Sequence, residues 1–142
     1  MINLRALSAL ILGLAALLFT APSSPAAPLA ENQTIKLSSG RTVKVLSISK
    51  FEYEKGVMAL MVRYQTNLSV DERKALSQEV DEVWKLAQKD VEHYGYNEAI
   101  ISSNEVPHGV FLTANRMLNF IFEKGPDGKW TRLNRADFMA MQ

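Results

Sequence analysis

Cysteine is absent from all 142 residues. Without it there is no thiol nucleophile, no zinc–thiolate site, no disulfide framework and no lipid-modified N-terminal cysteine. An excess of either charge is missing too. Sixteen Lys and Arg stand against fifteen Asp and Glu, and one of the basic residues, Arg5, lies in the first thirty residues, which hold no acid. Beyond residue 30 the count is therefore fifteen against fifteen. A nucleic-acid binder draws much of its affinity from phosphate neutralisation along a basic stripe. None is present, so nucleic acid is not an expected partner. Glycine is sparse and scattered, seven residues in all, which leaves no Gly-rich phosphate loop. Histidine occurs only at His93 and His108.

The one long apolar run is at the start. Met1 to Arg5 is a short segment with a single positive charge, and Ala6 to Phe19 is almost pure Ala, Leu, Ile and Gly, broken only by Ser8. Such a run has the length of a signal-peptide core and is shorter than the roughly 20 residues of a spanning helix. Thr20, Pro22, Ser23 and Ser24 then break it. Residues 1–26 are read as a secretory signal peptide, with cleavage placed between 23 and 30. Ser24 with Ala26, or Ala21 with Ser23, supplies the small residues a signal peptidase needs, whereas cleavage after Ala30 would set Pro28 at −3. Residues 27–34 are expected to be a flexible segment and residues 35–142 a single domain. A short Ala/Leu-rich leader on a disulfide-free domain points to the periplasm, or to secretion, with membrane contact only during export. Asn32-Gln33-Thr34 and Asn67-Leu68-Ser69 are sequons, relevant only in a eukaryotic secretory route.

About 115 residues remain after the leader, enough to bury about two-thirds of the unfolded surface. Ile35 and Leu37, then Val43 and Val45, alternate across Ser38-Ser39-Gly40 as a hairpin would. The apolar phase shifts from Val45 to Leu46 and Ile48, which predicts a bulge or a change of buried face in a strand over 41–52. Val57 to Thr66 opens with six apolar residues and reads as a central strand. Ser69 and Glu72 form a capping box. Leu76, Val80, Val83, Ala87, Val91 and Tyr94 follow on one helical stripe with Trp84 at its flank, and Gly95 ends it. Strands are predicted over 98–103, over 110–122 with a bend near Asn115 and Arg116, and over 129–133 after the turn Gly125-Pro126-Asp127-Gly128. Asn134 is expected to cap a short C-terminal helical turn that buries Phe138. The fold class is α+β: an antiparallel sheet of about five to six strands, in the order β-β-β-α-β-β-β, with one long amphipathic helix packed on one face.

Chemistry-bearing patterns are few. His93 ends the helix beside Glu92, and the position one turn earlier is Lys89, so the i, i+4 spacing of two ligands on one helix is missing. His93 suits a helix C-terminus, where a cation meets the dipole, and His108 sits in a Pro-Gly turn. No G-x-S-x-G motif occurs. Glu79 and Asp90 lie on the charged flank of the helix stripe. The readings are no catalytic residue, no metal and no cofactor. Candidate binding residues are Trp84, Tyr94, Tyr96 and Trp130, which could line a groove at the helix end, with His108 and Arg116. The expected function is that of a small exported, non-enzymatic binding or interaction domain, its partner another envelope protein, a peptide or a glycan. Two alternatives stand beside it: a small envelope hydrolase or lyase using His93 and His108 with carboxylates, and a membrane-anchored subunit that keeps its leader.

Overall fold

A computed structural model describes residues 27–54, 56–107 and 116–133, with the backbone alone at 53 and 54. Among the described residues seven elements follow one another: β1 (Thr34–Lys36), β2 (Thr42–Glu54), β3 (Val57–Thr66), α1 (Arg73–His93), β4 (Glu98–Glu105), β5 (Met117–Lys124) and β6 (Trp130–Arg132). The strands form a single sheet in the order β1-β2-β3-β4-β5-β6. The fold is therefore α+β with the β-β-β-α-β-β-β order that the patterning predicts. The expected leader, the segment around His108 and Val110, and the C-terminal turn with Asn134 and Phe138 fall outside the described residues.

Four of the five strand pairings are antiparallel, but β3 and β4 run parallel. The wholly antiparallel sheet read from the sequence needs that correction, and α1 is the cause. Antiparallel neighbours can be joined by a tight turn, whereas a helix between two neighbours returns the chain to the end where the first strand began. At about 1.5 Å per residue, the 21 residues of α1 span roughly 32 Å. That is length enough to run back along β3, so that Ala99 is set beside Leu60 and Glu105 beside Thr66.

The phase shift in β2 is a real bulge. Val45 pairs with Tyr64, yet Ser47 pairs with Arg63, so Leu46 is the extra residue. Before the bulge Val43 and Val45 are buried with the core; after it Ile48 takes over that face. One inserted residue thus lets a single strand keep apolar side chains on one side despite a broken alternation.

α1 lies on the face formed by Leu60, Val62 and Tyr64 of β3, Ala99 and Ile101 of β4, and Leu118, Phe120 and Phe122 of β5. Its Leu76, Val80, Val83, Ala87 and Val91 are fully buried there. Tyr94, predicted as the last member of the stripe, is 60% exposed. The helix ends at His93, and Tyr94 turns out with the departing chain. Trp84, placed at the flank, is itself core, 7% exposed and stacked on Phe122 at 4.3 Å. At the N-terminus only half of the capping box forms. The Glu72 carboxylate accepts from Ser69 N–H at 2.9 Å, while Glu72 N–H donates to the Ser69 carbonyl rather than its hydroxyl.

The C-terminus of α1 is closed by Gly95 at φ +76. Gly95 N–H donates to Glu92 O and Tyr96 N–H reaches back to Val91 O, which satisfies two carbonyls the helix would otherwise strand. A Cβ at Gly95 would meet nothing within 4 Å, so Gly95→Ala isolates the conformational cost. We expect a loss of about 1–2 kcal/mol, read from the urea midpoint; no change would mean that the turn relaxes out of the left-handed region.

Candidate functional site

The aromatic groove does not form as predicted. Trp84 and Trp130 meet edge to face at 4.9 Å, and Trp130 Nε1–H donates to Glu92 Oε1 at 2.8 Å. With Phe122 and the partly buried Tyr96 they pack against the core under the C-terminal half of α1. Tyr94 stands apart from them, its ring 5.6 Å from that of His93. It borders instead a cleft made with Pro28, Leu29, Glu31, Ile48 and Asp90. Residues 27–33 run alongside: Leu29 N–H donates to Asp90 Oδ2 at 2.8 Å and Ile48 N–H to Glu31 Oε1 at 3.1 Å. Arg116 lies at the other end of α1, where its guanidinium forks onto both oxygens of Asp71 at 2.9 Å. His108 is outside the described residues. Of the six predicted residues, Trp84 and Trp130 therefore meet, and they meet as packing.

The uneven charge of the sequence resolves in the same way. Residues 69–94 hold seven acids and four bases, and three of those acids face bases that come later in the chain. Asp71 takes Arg116, Asp81 takes Arg132 at 2.8 Å, and Glu92 takes Lys124 at 3.8 Å. The bidentate Arg116 holds the Asp71 carboxyl below its ordinary range, and the Trp130 indole does the same for Glu92.

Glu79 is the residue whose position the sequence misjudged most. Read as a charged flank, it is 2% exposed. Around it lie Tyr64 and Thr66 of β3, both buried, with Ser103 of β4 next to Tyr64. Burial pushes the Glu79 carboxyl above its ordinary range, against the opposing pull of the Thr66 and Tyr64 hydroxyls and of Arg41. Burial and then the Glu79 charge push the Tyr64 phenol up as well. Glu79 Oε1 and the Tyr64 hydroxyl each lack a hydrogen bond of normal geometry, although they are close enough to act on each other's ionisation. This pair is sealed beneath α1, so it reads as a structural acid. Among the described residues no three His, Cys, Asp or Glu cluster as metal ligands.

The opposite face of the sheet, away from α1, is different in kind, with Ile100, Ser102 and Asn104 buried and Met61, Arg63, Asn119 and Ile121 half-buried. Ser47, Arg63, Ser102 and Asn119 stand in lateral register across β2, β3, β4 and β5. One step along, Met61, Ile100 and Ile121 make an apolar row, and further on Glu98 faces Glu123. Arg63 Nη2 donates to Asn104 Oδ1 at 3.2 Å, and Asn104 Nδ2 is spent on the carbonyls of Tyr64 and Ser102. That network fixes the Arg63 head. Yet Arg63 Nε, Asn119 Oδ1 and Glu98 Oε2 are buried without a hydrogen-bond partner. Burial, then the nearby Glu123 charge, raises the Glu98 carboxyl above its ordinary range. Buried polar atoms without partners are rare, and three share this face.

Sequence reasoning missed Arg63 and Ser102. The signal was present in β3, where Met61, Arg63 and Gln65 alternate with Leu60, Val62 and Tyr64. No family model matches the chain, and neither curated proteins nor solved structures give a match.

Proposed function

We propose that this protein is a non-enzymatic binding domain of the periplasm or of the secreted fraction, and that it engages its ligand on the sheet face away from α1. The observation that supports this reading is the combination on that face: an apolar row of Met61, Ile100 and Ile121 flanked by Arg63, Asn119 and Glu98, each with a buried polar atom lacking a partner. Apolar floors with a few fixed polar groups are what orient a bound peptide or glycan. No helix among the described residues is long and apolar enough to cross a membrane; export rests on the leader.

The test is capture from the native envelope fraction with the mature domain and with an Arg63→Ala, Asn119→Ala double variant. The expected result is one component retained by the parent and lost from the variant, with an unchanged circular dichroism spectrum. Retention by both would move the site elsewhere. Capture of nothing by either would end the binding-domain reading.

A further inference from the structure

Strands at a sheet edge expose unpaired backbone groups, and β2 is such an edge for much of its length. β1 pairs only Thr34–Lys36 with Thr42–Lys44, whereas β2 runs on to Glu54. Beyond the bulge, Ile48 N–H points away from β3, since it donates to Glu31 on the β1 side. Alternation then turns the N–H and C=O of Lys50 and Glu52 outward as well, where no described strand pairs with them. Both side chains are exposed. They lie on the α1 side of the sheet, because their partners in β3 are Leu60 and Met58.

We propose that this edge pairs with the same edge of a second copy, the two β2 strands running antiparallel about a two-fold axis at Phe51. In that register Lys50 of each copy stands opposite Glu52 of the other. The backbone phase agrees: Lys50 and Glu52 both present outward groups, so they form the hydrogen-bonded pair. Phe51 meets its own copy at the non-bonded position, where side chains come closest. Moving the axis one residue either way confronts Lys50 with Lys50 or Glu52 with Glu52, and like charges directly opposite are destabilising. Edge charges ordinarily block pairing between sheets. Here opposite charges two residues apart on one face make the edge complementary to itself. The contact uses neither Arg63 nor Asn119, so it stands or falls apart from the binding reading.

The experiment is equilibrium sedimentation of the mature domain over a wide concentration range, with Lys50→Glu, Glu52→Lys and the double exchange. The parent is expected to dimerise reversibly. Each single reversal places two like-charge pairs in the interface and should weaken the dimer roughly tenfold or more. The double exchange rebuilds both pairs and should restore it. Both substituted positions are exposed; Glu52→Lys gives up the bond that the Glu52 carboxylate accepts from Gly56 N–H at 3.0 Å, and an unchanged circular dichroism spectrum of each variant shows that the fold is kept. A parent that stays monomeric throughout overturns the proposal, as does a dimer that ignores the single reversals or that the double exchange fails to recover.

Discussion

Glu79→Gln is expected to stabilise the folded domain at neutral and alkaline pH and to reduce the loss of its stability as pH rises above about 4.5. The sign follows from the direction of the shift. Burial beneath α1 raises the Glu79 carboxyl above its reference value of 4.5, so the native state holds this proton more tightly than the unfolded chain does. Its contribution is fully present below the unfolded pKa and is lost as pH rises through the folded one. Each unit between the two corresponds to about 1.4 kcal/mol. Glutamine keeps the shape and the hydrogen-bonding capacity of the neutral acid and cannot ionise. The variant should therefore match the parent below pH 4.5 and exceed it by a margin that grows as pH rises above that value. Asp71, Glu82 and Glu92 are shifted downward and Glu98 upward, so the parent's own pH profile mixes several groups. The difference between variant and parent isolates Glu79. Urea denaturation of both proteins at several pH values measures it, and a constant difference across the range would show that Glu79 is ionised in the fold.

The reasons Glu79 was misplaced show where sequence reading stops for this chain. Periodicity located α1 because five aliphatic residues repeat at spacings of three and four, and all five are buried. The same wheel puts Glu79 one turn from both Leu76 and Val83, at the margin of the stripe. Whether a marginal position is covered depends on what the sheet brings up to it. Here that is Tyr64 and Thr66 from β3, residues too distant in sequence for any local pattern to couple. Tyr94 failed in the opposite sense: it keeps the helical spacing, but Gly95 turns the chain one residue later and leaves it in solvent.

Topology was limited in the same way. The order of strands and helix was legible, and so was the bulge at Leu46, because each leaves a local signature. The parallel pairing of β3 with β4 leaves none, since both strands could also belong to an antiparallel sheet; it follows only once α1 is known to connect neighbours. The candidate binding face was half legible. Alternation in β3 and β5 marks Arg63 and Asn119 as sharing the side away from Val62 and Phe120. That they lie in one lateral row depends on the register across four strands, which no single strand encodes.

Val83→Asp should cost about 4 kcal/mol or more, whereas Lys85→Asp should shift stability by about 0.5 kcal/mol or less. Val83 has no exposed surface and belongs to the core formed by α1 with Leu60, Val62, Ile101 and Phe122, whereas Lys85 is exposed on the opposite side of the helix. Shortening the side chain alone, as in Val83→Ala, removes buried methyl groups and opens a small cavity, for roughly 2 kcal/mol. The excess for aspartate is the cost of a polar acid with no partner. The wall around position 83 is apolar, and a buried ionised carboxylate there would have neither a counter-charge nor water. The introduced acid should therefore remain neutral over much of the pH range in the fold while ionising freely when unfolded. Its penalty should shrink as pH is lowered, and that of Val83→Ala should not. Urea midpoints for the three variants near pH 5 and near pH 7.5 read both effects. Equal losses from Val83→Asp and Lys85→Asp would mean that α1 packs on the sheet through a different face.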